Sequence, residues 1–389
     1  MRIAFVCADP GIPVFGTKGA SLHARAVIGE FRRAGHDVRV VAVRPDGGPA
    51  DVGVHRLPAV PAGSGITVAD RELAAMAADR AVADALEDID PDLVYERYSL
   101  WGRTATDWAR RHRRPSVLEV NAPLVQEQQL HRSLVHTAVA EECAVAALSA
   151  ASVVVCVSDP VADWARERGA DPLVVPNGVD VQRISPRSGP VTPADAGRFV
   201  VGFAGSLKPW HGVEVLLEAV ARLHRSDRRW AALVVGDGPR RVALAGSAAA
   251  SDLGTALEFN GAVPADAVVT QLRRMDIACA PYPVAQDQYF SPLKVYEYLA
   301  AGLPVVASGV GQLPAALDHG RLGVLVPPGD PAALALALHR LRSDTALRTD
   351  LARRGRARAV AAHTWADVVR RSLAPLGGLV RGDGIRSTA

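Results

Sequence analysis

Apolar residues along the chain fall into short runs separated by amphipathic stretches. Residues 2–7 (RIAFVC) and 38–43 (VRVVAV) are continuous apolar, β-prone runs, the pattern required of strands buried on both faces. Between them the loop ADPGIPVFGTKG leads into ASLHARAVIGEFRRAG. There Leu22, Val27, Ile28 and Phe31 recur at helical spacing, and Gly35 is placed to end the helix. This segment is a predicted strand–helix–strand unit. Further apolar runs at 93–95, 116–120, 152–157 and 173–175 alternate with Ala- and Arg-rich helical stretches such as 70–88 and 103–113. The rhythm then restarts. RFVVGFAG (198–205) precedes VEVLLEAVARL (213–223), with Val213, Leu216, Leu217, Val220 and Leu223 on one face. WAALVVGDG, ALEFNG, MDIACAPY and LPVVASG continue it. Residues 181–197, rich in Pro, Gly and Ser and without a period, read as a linker. The pattern predicts an α/β protein of two Rossmann-like domains, hinged near residue 185, with parallel sheets facing a central cleft. Ligands of such sheets sit at the carboxyl ends of the strands, which places the expected site in that cleft.

Composition narrows the classes. The 389 residues are 49% hydrophobic and 22% charged, which excludes disorder and collagen, and the net charge of +3 gives no concentrated basic face for nucleic acid. Cys7, Cys143, Cys156 and Cys279 are far apart and form no CxxC pair; they read as reduced, buried thiols rather than a zinc site. No run of about 18 uncharged apolar residues is present, and the N-terminal apolar run is too short for a signal peptide. The expected location is cytoplasmic. Arg110, Arg111, Arg113 and Arg114 read first as a solvated helix end, with a peripheral membrane contact left open. The chain has only three lysines, Lys18, Lys208 and Lys294.

Those lysines mark three segments with chemistry. In FSPLKVYEYLAAGLPVVAS (290–308), Ser291 is a predicted N-cap, Pro292 suits the first helical position, and Gly302 and Pro304 end a helix of about ten residues. The amides of Leu293 and Lys294 would point from its first turn at a phosphate or diphosphate. Glu297, just over one turn inside, either accepts from the vicinal hydroxyls of a ribose or pairs with Lys294 on the surface. In GSLKPWHGVEVLLEA (205–219), Lys208 and His211 sit in a strand-to-helix turn, either solvated or offering cationic or N–H donors to a diphosphate. In FGTKGASLH (15–23), Gly16 and Gly19 flank Thr17 and Lys18, while His23 either reaches the cleft or packs within the helix. Neither a GxGxxG dinucleotide fingerprint nor Walker spacing is present, which disfavours a nicotinamide dehydrogenase.

These segments carry a resemblance. FSPLKVYEYLAAGLPVVAS, PNGVDVQR (176–183), VVGDGP (234–239), LEFNGAVP (257–264) and VLVPPGDPAALALAL (324–338) resemble the nucleotide-sugar half of family 4 retaining glycosyltransferases of the GT-B fold. GTKGASLH, DLVYERYSLWG (92–102) and LEVNAPLVQE (118–127) resemble its acceptor half. The resemblance implies an acceptor-side domain over 1–184, joined by a returning C-terminal helix within 366–389, and a nucleotide-sugar domain over 185–365. It implies that Glu297 holds the donor ribose, that the segment from Phe290 and Ser291 to Leu293 and Lys294 holds the donor sugar and phosphates, and that Asn260 to Val263 border the base. Gly16 and Thr17, with Lys18, His23 and Asn121, would line the acceptor and diphosphate side. Two departures stand out. Tyr289 occupies the place of the first of the family's paired glutamates, which hints at an unusual or deoxygenated donor. The family's Arg and Lys on the diphosphate fall on Ser206 and His211, so Lys208 and His211 are expected to supply the positive charge instead.

The implied reaction is transfer of a sugar from a nucleoside-diphosphate sugar, UDP- or GDP-linked, to an acceptor with retention of configuration. Lys208, His211 and Glu297 would be the central residues, with no metal and no cofactor. A small soluble acceptor is favoured over a glycolipid, because no basic amphipathic helix stands out. The alternatives are a nucleotide-sugar epimerase or phosphorylase on the same fold, or a non-catalytic sugar-nucleotide binding protein.

Overall fold

The computed structural model describes residues 1–17, 19–189, 197–249, 253–284 and 288–377. The chain divides into two compact units. The first comprises Met1–Asn177, Tyr289–Ser291 and the chain from Trp365; the second comprises Gly178–Gln288 and Pro292–Thr364.

In the first unit, seven strands form one parallel sheet: β1 (Arg2–Cys7), β2 (Asp37–Ala42), β3 (Gly53–Arg56), β4 (Leu93–Arg97), β5 (Ser116–Val120), β6 (Val153–Cys156) and β7 (Leu173–Val174). Their order is β3-β2-β1-β4-β5-β6-β7, with Ile3 aligned to Val38 on one side and to Leu93 on the other. The central strands are buried along their whole length, as their unbroken apolar runs require, and Phe5, Leu93, Tyr95 and Leu118 are fully enclosed. In this sheet the apolar pattern misses strand β3: GVHR is a short edge strand with alternate residues exposed.

The second unit repeats the plan with β8 (Phe199–Ala204), β9 (Trp230–Val235), β10 (Leu257–Gly261), β11 (Ile277–Ala280), β12 (Val305–Ser308) and β13 (Val324–Val326), all parallel, in the order β10-β9-β8-β11-β12-β13. The expected Val213–Leu223 face packs inward from a helix over Val213–Ser226. Both units are thus Rossmann-like. Strand order reverses at β1/β4 in one sheet and at β8/β11 in the other. Loops leaving the carboxyl ends of those pairs diverge and leave a crevice where ligands of open α/β sheets bind.

The division between units falls at 177/178, earlier than the expected 184/185, and the chain rejoins the first unit at Trp365. Residues 181–185, expected in a linker, are tied to the second unit. The Arg356 guanidinium donates to the carbonyls of Val181 and Ile184, and Arg273 donates to the carbonyl and hydroxyl of Ser185. The linker residues 190–196 lie outside the described ones.

Candidate functional site

The switch point of the second sheet gathers most of the residues singled out on the donor side. The turn leaving β8 carries Ser206, Lys208 and a single 3₁₀ turn over Pro209–His211; the chain leaving β11 carries Tyr282 and runs on to the Leu293–Ala300 helix. Gly212 locks the two turns together. Its φ is +62°, and a Cβ there would lie 2.0 Å from the Pro281 carbonyl oxygen, so only glycine permits the approach. Tyr298 fixes the helix to the end of β8, accepting from the Ala204 amide at 2.8 Å and donating to the Ala204 carbonyl at 3.2 Å.

One turn before Tyr298 on that helix, Lys294 is held beside the β8 turn. Its Nζ is buried, has no hydrogen-bond partner among the described residues, and lies 4.4 Å from the Phe203 ring centre and 5.0 Å from that of Tyr282. Ring faces attract the charge but accept no conventional hydrogen bond. Burial lowers the Lys294 pKa to about 7, against the opposing pull of Glu297. Next to it, His211 Nδ1 donates to the Ser206 carbonyl, and its ring centre is 5.6 Å from that of Tyr282. Burial, then the positive charges of Lys294 and Lys208, depress His211 to about 4, although the bond to Ser206 works the other way.

This corrects one expectation. His211 does not supply positive charge at neutral pH: half-buried beside two lysines, its ring is held neutral. Lys208 is half-buried, with its Nζ 5.6 Å from the Trp210 ring centre. Glu297 does not take the surface pairing with Lys294. Its carboxylate lies 3.8 Å from the Arg183 guanidinium, which also donates to the Ala265 carbonyl at 2.7 Å. Burial raises the Glu297 pKa, with Arg183 and Lys294 pulling it back. On β10, Asn260 donates its side-chain amide to Gln271 at 2.6 Å, and Val263 follows half-buried.

Ser291 is not an N-cap. Pro292 takes that position and the helix begins at Leu293, because the Ser291 hydroxyl accepts from the Asn177 amide at 3.0 Å while Asn177 Nδ2 donates to the Ser291 carbonyl. Phe290 and Ser291 accordingly belong to the first unit, with Tyr289. The Tyr289 hydroxyl donates to Glu127 at 2.7 Å, and its carbonyl accepts from the Ser158 hydroxyl.

In the first unit, Gly16 closes a tight turn on Pro13, where a Cβ would meet the proline ring at 2.7 Å; Thr17 beside it is exposed. Lys18 lies outside the described residues. His23 packs within its helix and is 2% exposed. Its Nε2 is 2.7 Å from Glu119, and its ring is 4.7 Å from that of Trp365. Glu119 also accepts from the Tyr95 hydroxyl at 3.1 Å and faces Arg97 at 3.8 Å. Burial alone would raise the Glu119 pKa, but His23, Arg97 and Tyr95 together hold it below the ordinary value. Asn121, at the end of β5, has its Nδ2 buried without a partner among the described residues. Beyond the carboxyl ends of β1 and β4 lies a cavity of about 550 Å³, whose wall includes Asp9, Ile12, Arg71, Trp101, Glu127 and Arg132.

Two family models divide this chain between them. The one described as Glycosyltransferase Family 4 matches residues 17–183, and the one described as Glycosyl transferases group 1 matches residues 198–344. The chain belongs to the family 4 glycosyltransferases. Among relatives of this family 4 chain, phosphatidyl-myo-inositol mannosyltransferase of Mycobacterium leprae is 31% identical over 215 residues, covering 55% of this chain and 56% of that protein. The 2-deoxystreptamine glucosyltransferase of Streptomyces kanamyceticus is 32% identical over 183 residues, covering 44% and 46%. The family 4 chain therefore spans about half the length of the curated relatives it matches. Sucrose-phosphate synthase of Thermosynechococcus elongatus superposes with a TM-score of 0.74 at 20% identity, over 97% of this chain and 99% of that one. Anabaena HepE, solved in complex with UDP, gives 0.72 at 20%, over 97% and 100%. At that identity the likeness establishes the GT-B fold alone.

Several residues of this family 4 site escape a reading of motifs. Phe203 and Tyr282 look like ordinary core aromatics in sequence, and only the packing makes them walls for Lys294. Arg183 ends the PNGVDVQR motif and Glu119 sits within LEVNAP, so both lay inside signals already noted. Their partners come from distant segments.

Proposed function

We propose that this glycosyltransferase moves a sugar from a nucleoside-diphosphate sugar, UDP- or GDP-linked, to a small-molecule acceptor with retention at the anomeric carbon and without a metal ion. The second unit holds the donor, and the first unit's cavity takes the acceptor. One observation carries the reading: at the β8/β11 switch point, a buried lysine amine without a hydrogen-bond partner among the described residues stands one turn from a half-buried glutamate. The amine and the Leu293 and Lys294 amides suit a diphosphate, and the Glu297 carboxylate suits the two hydroxyls of a ribose.

In this reading the acceptor's nucleophile bonds to the anomeric carbon as the bond to the diphosphate oxygen breaks on the same face. The acceptor's proton passes to that departing oxygen. The protein contributes position and charge stabilisation rather than a covalent intermediate. Two findings support the reading: the relatives named as mannosyl- and glucosyltransferases, and a similar fold solved with UDP.

Turnover of UDP- and GDP-sugars against a panel of polyol and aminocyclitol acceptors tests it. Lys208→Ala and Glu297→Ala should each lower kcat/KM by about 10²–10³ while the variants stay folded. Near-normal turnover in both would remove the assignment. Conversion of the sugar nucleotide with no acceptor present would point to an epimerase instead.

A further inference from the structure

The donor pocket has an electrostatic feature that the proposed reaction does not by itself require. A site for a diphosphate would be expected to display fixed positive charge, yet the groups at its centre are arranged to lose theirs. Among the described residues, Lys294 Nζ with its three N–H donors finds no hydrogen-bond acceptor and lies over the faces of Phe203 and Tyr282. Gly205, with φ at +150°, brings the β8 turn so close that a Cβ there would lie 3.0 Å from Lys294 Cε and 3.2 Å from Nζ. The amine is thus wedged against backbone without a carbonyl to receive it.

His211 completes the arrangement. Because the Ser206 carbonyl can only accept, Nδ1 carries the ring hydrogen, and Nε2 of the neutral ring holds a lone pair. A lone pair repels a phosphate oxygen; the ring becomes a donor there only by taking up a proton. Among the described residues, the titratable and charged groups around Lys294 are few. They are Lys208 and His211 from the β8 turn, Tyr282 from the β11 turn, and Glu297 from its own helix, with Arg183 drawn to Glu297. Among these, the carboxylate is the one group that favours an ammonium, and Arg183 competes for it.

We propose that the Lys294 amine is the landing point of the donor's diphosphate and that the anion brings a proton with it, so that binding is coupled to proton uptake at Lys294. The proposal rests on the donor site described above. A diphosphate within hydrogen-bond reach supplies the missing acceptors and several negative charges in a poorly hydrated hole, which is where an ionic partner shifts a titration most. With Lys294 normally near pKa 7, the empty pocket at pH 8 holds mostly the neutral amine and the filled one the ammonium. The coupling also discriminates, because a neutral or weakly charged ligand cannot repay the protonation.

The test is calorimetric titration of the full chain with UDP and with GDP at pH 8, where the terminal phosphate is fully ionised, in buffers of different ionisation enthalpy. The apparent heat should vary with the buffer and report uptake of close to one proton per nucleotide. Lys294→Arg, permanently charged, should bind with little or no uptake. Lys294→Met should bind at least 10-fold more weakly with none. His211→Gln should retain most of the uptake, which separates the two groups. Wild-type binding with no dependence on buffer, or equal uptake by wild type and Lys294→Arg, overturns the coupling and leaves the donor site standing. Binding of neither nucleotide overturns the donor site and the coupling together.

Discussion

Holding an amine away from both water and hydrogen-bond acceptors costs free energy, and Lys294 does so between two rings. Because its folded-state pKa lies below that of the unfolded chain, the unfolded state binds more protons between about pH 7 and the ordinary lysine range. The penalty is fully present below pH 7 and is relieved as pH rises through that window. Lys294→Met should therefore raise the stability of the empty protein by about 1–2 kcal/mol at pH 7, with the gain shrinking towards pH 10, as thermal melts over a pH series would show. A melting point at pH 7 equal to or lower than that of wild type would contradict the strain. Lysine scarcity was enough to flag Lys208 and Lys294 in the sequence. The lowered pKa of Lys294 could not be read there, since it depends on burial against Phe203 and Tyr282, which arrive from two other segments. His211, expected as a cation, proved neutral.

At the scale of elements, turns decide the site more than helices do. The end of the Leu293–Ala300 helix was legible: Gly302 takes φ +66° and Pro304 blocks continuation. Its start was not, because the hydroxyl that local rules assign to capping is bonded instead to the Asn177 amide, 114 positions away in the chain. Gly212 shows the converse. Nothing in GSLKPWHG marks its glycine as special, but in the structure it sets the distance between the β8 and β11 turns. Gly212→Ala should cost about 2–4 kcal/mol in urea unfolding through an unfavourable φ and a backbone clash, and should also weaken UDP binding. Loss of stability with UDP affinity intact would mean that the two turns are positioned by something else.

For the molecule as a whole, the restart of the strand–helix rhythm at residue 198 was sufficient to read two Rossmann-like sheets. The junction was misplaced because 181–185 are fastened by Arg356 and Arg273, contacts invisible in a Pro- and Ser-rich string. Each unit has its own electrostatic keystone. In the first it is Glu119, which gathers His23, Tyr95 and Arg97. Its depressed pKa contributes stability at neutral pH that fades as pH falls through the folded-state value, below the usual glutamate range. Glu119→Gln should destabilise the protein by about 2–4 kcal/mol at pH 7, less at pH 4, and leave UDP affinity within twofold. A variant as stable as wild type at pH 7 would dismiss the keystone role.

The backbone passes between units at 177/178, 288/289, 291/292 and 364/365, so neither unit is an unbroken length of chain. During synthesis the first sheet emerges early, but it lacks Tyr289–Ser291 and the helix whose Trp365 ring lies against His23 until residue 365 and the helix after it have been made. Its completion must wait for the segment from Trp365, and a fragment stopped anywhere before Trp365 would leave one side of His23 uncovered.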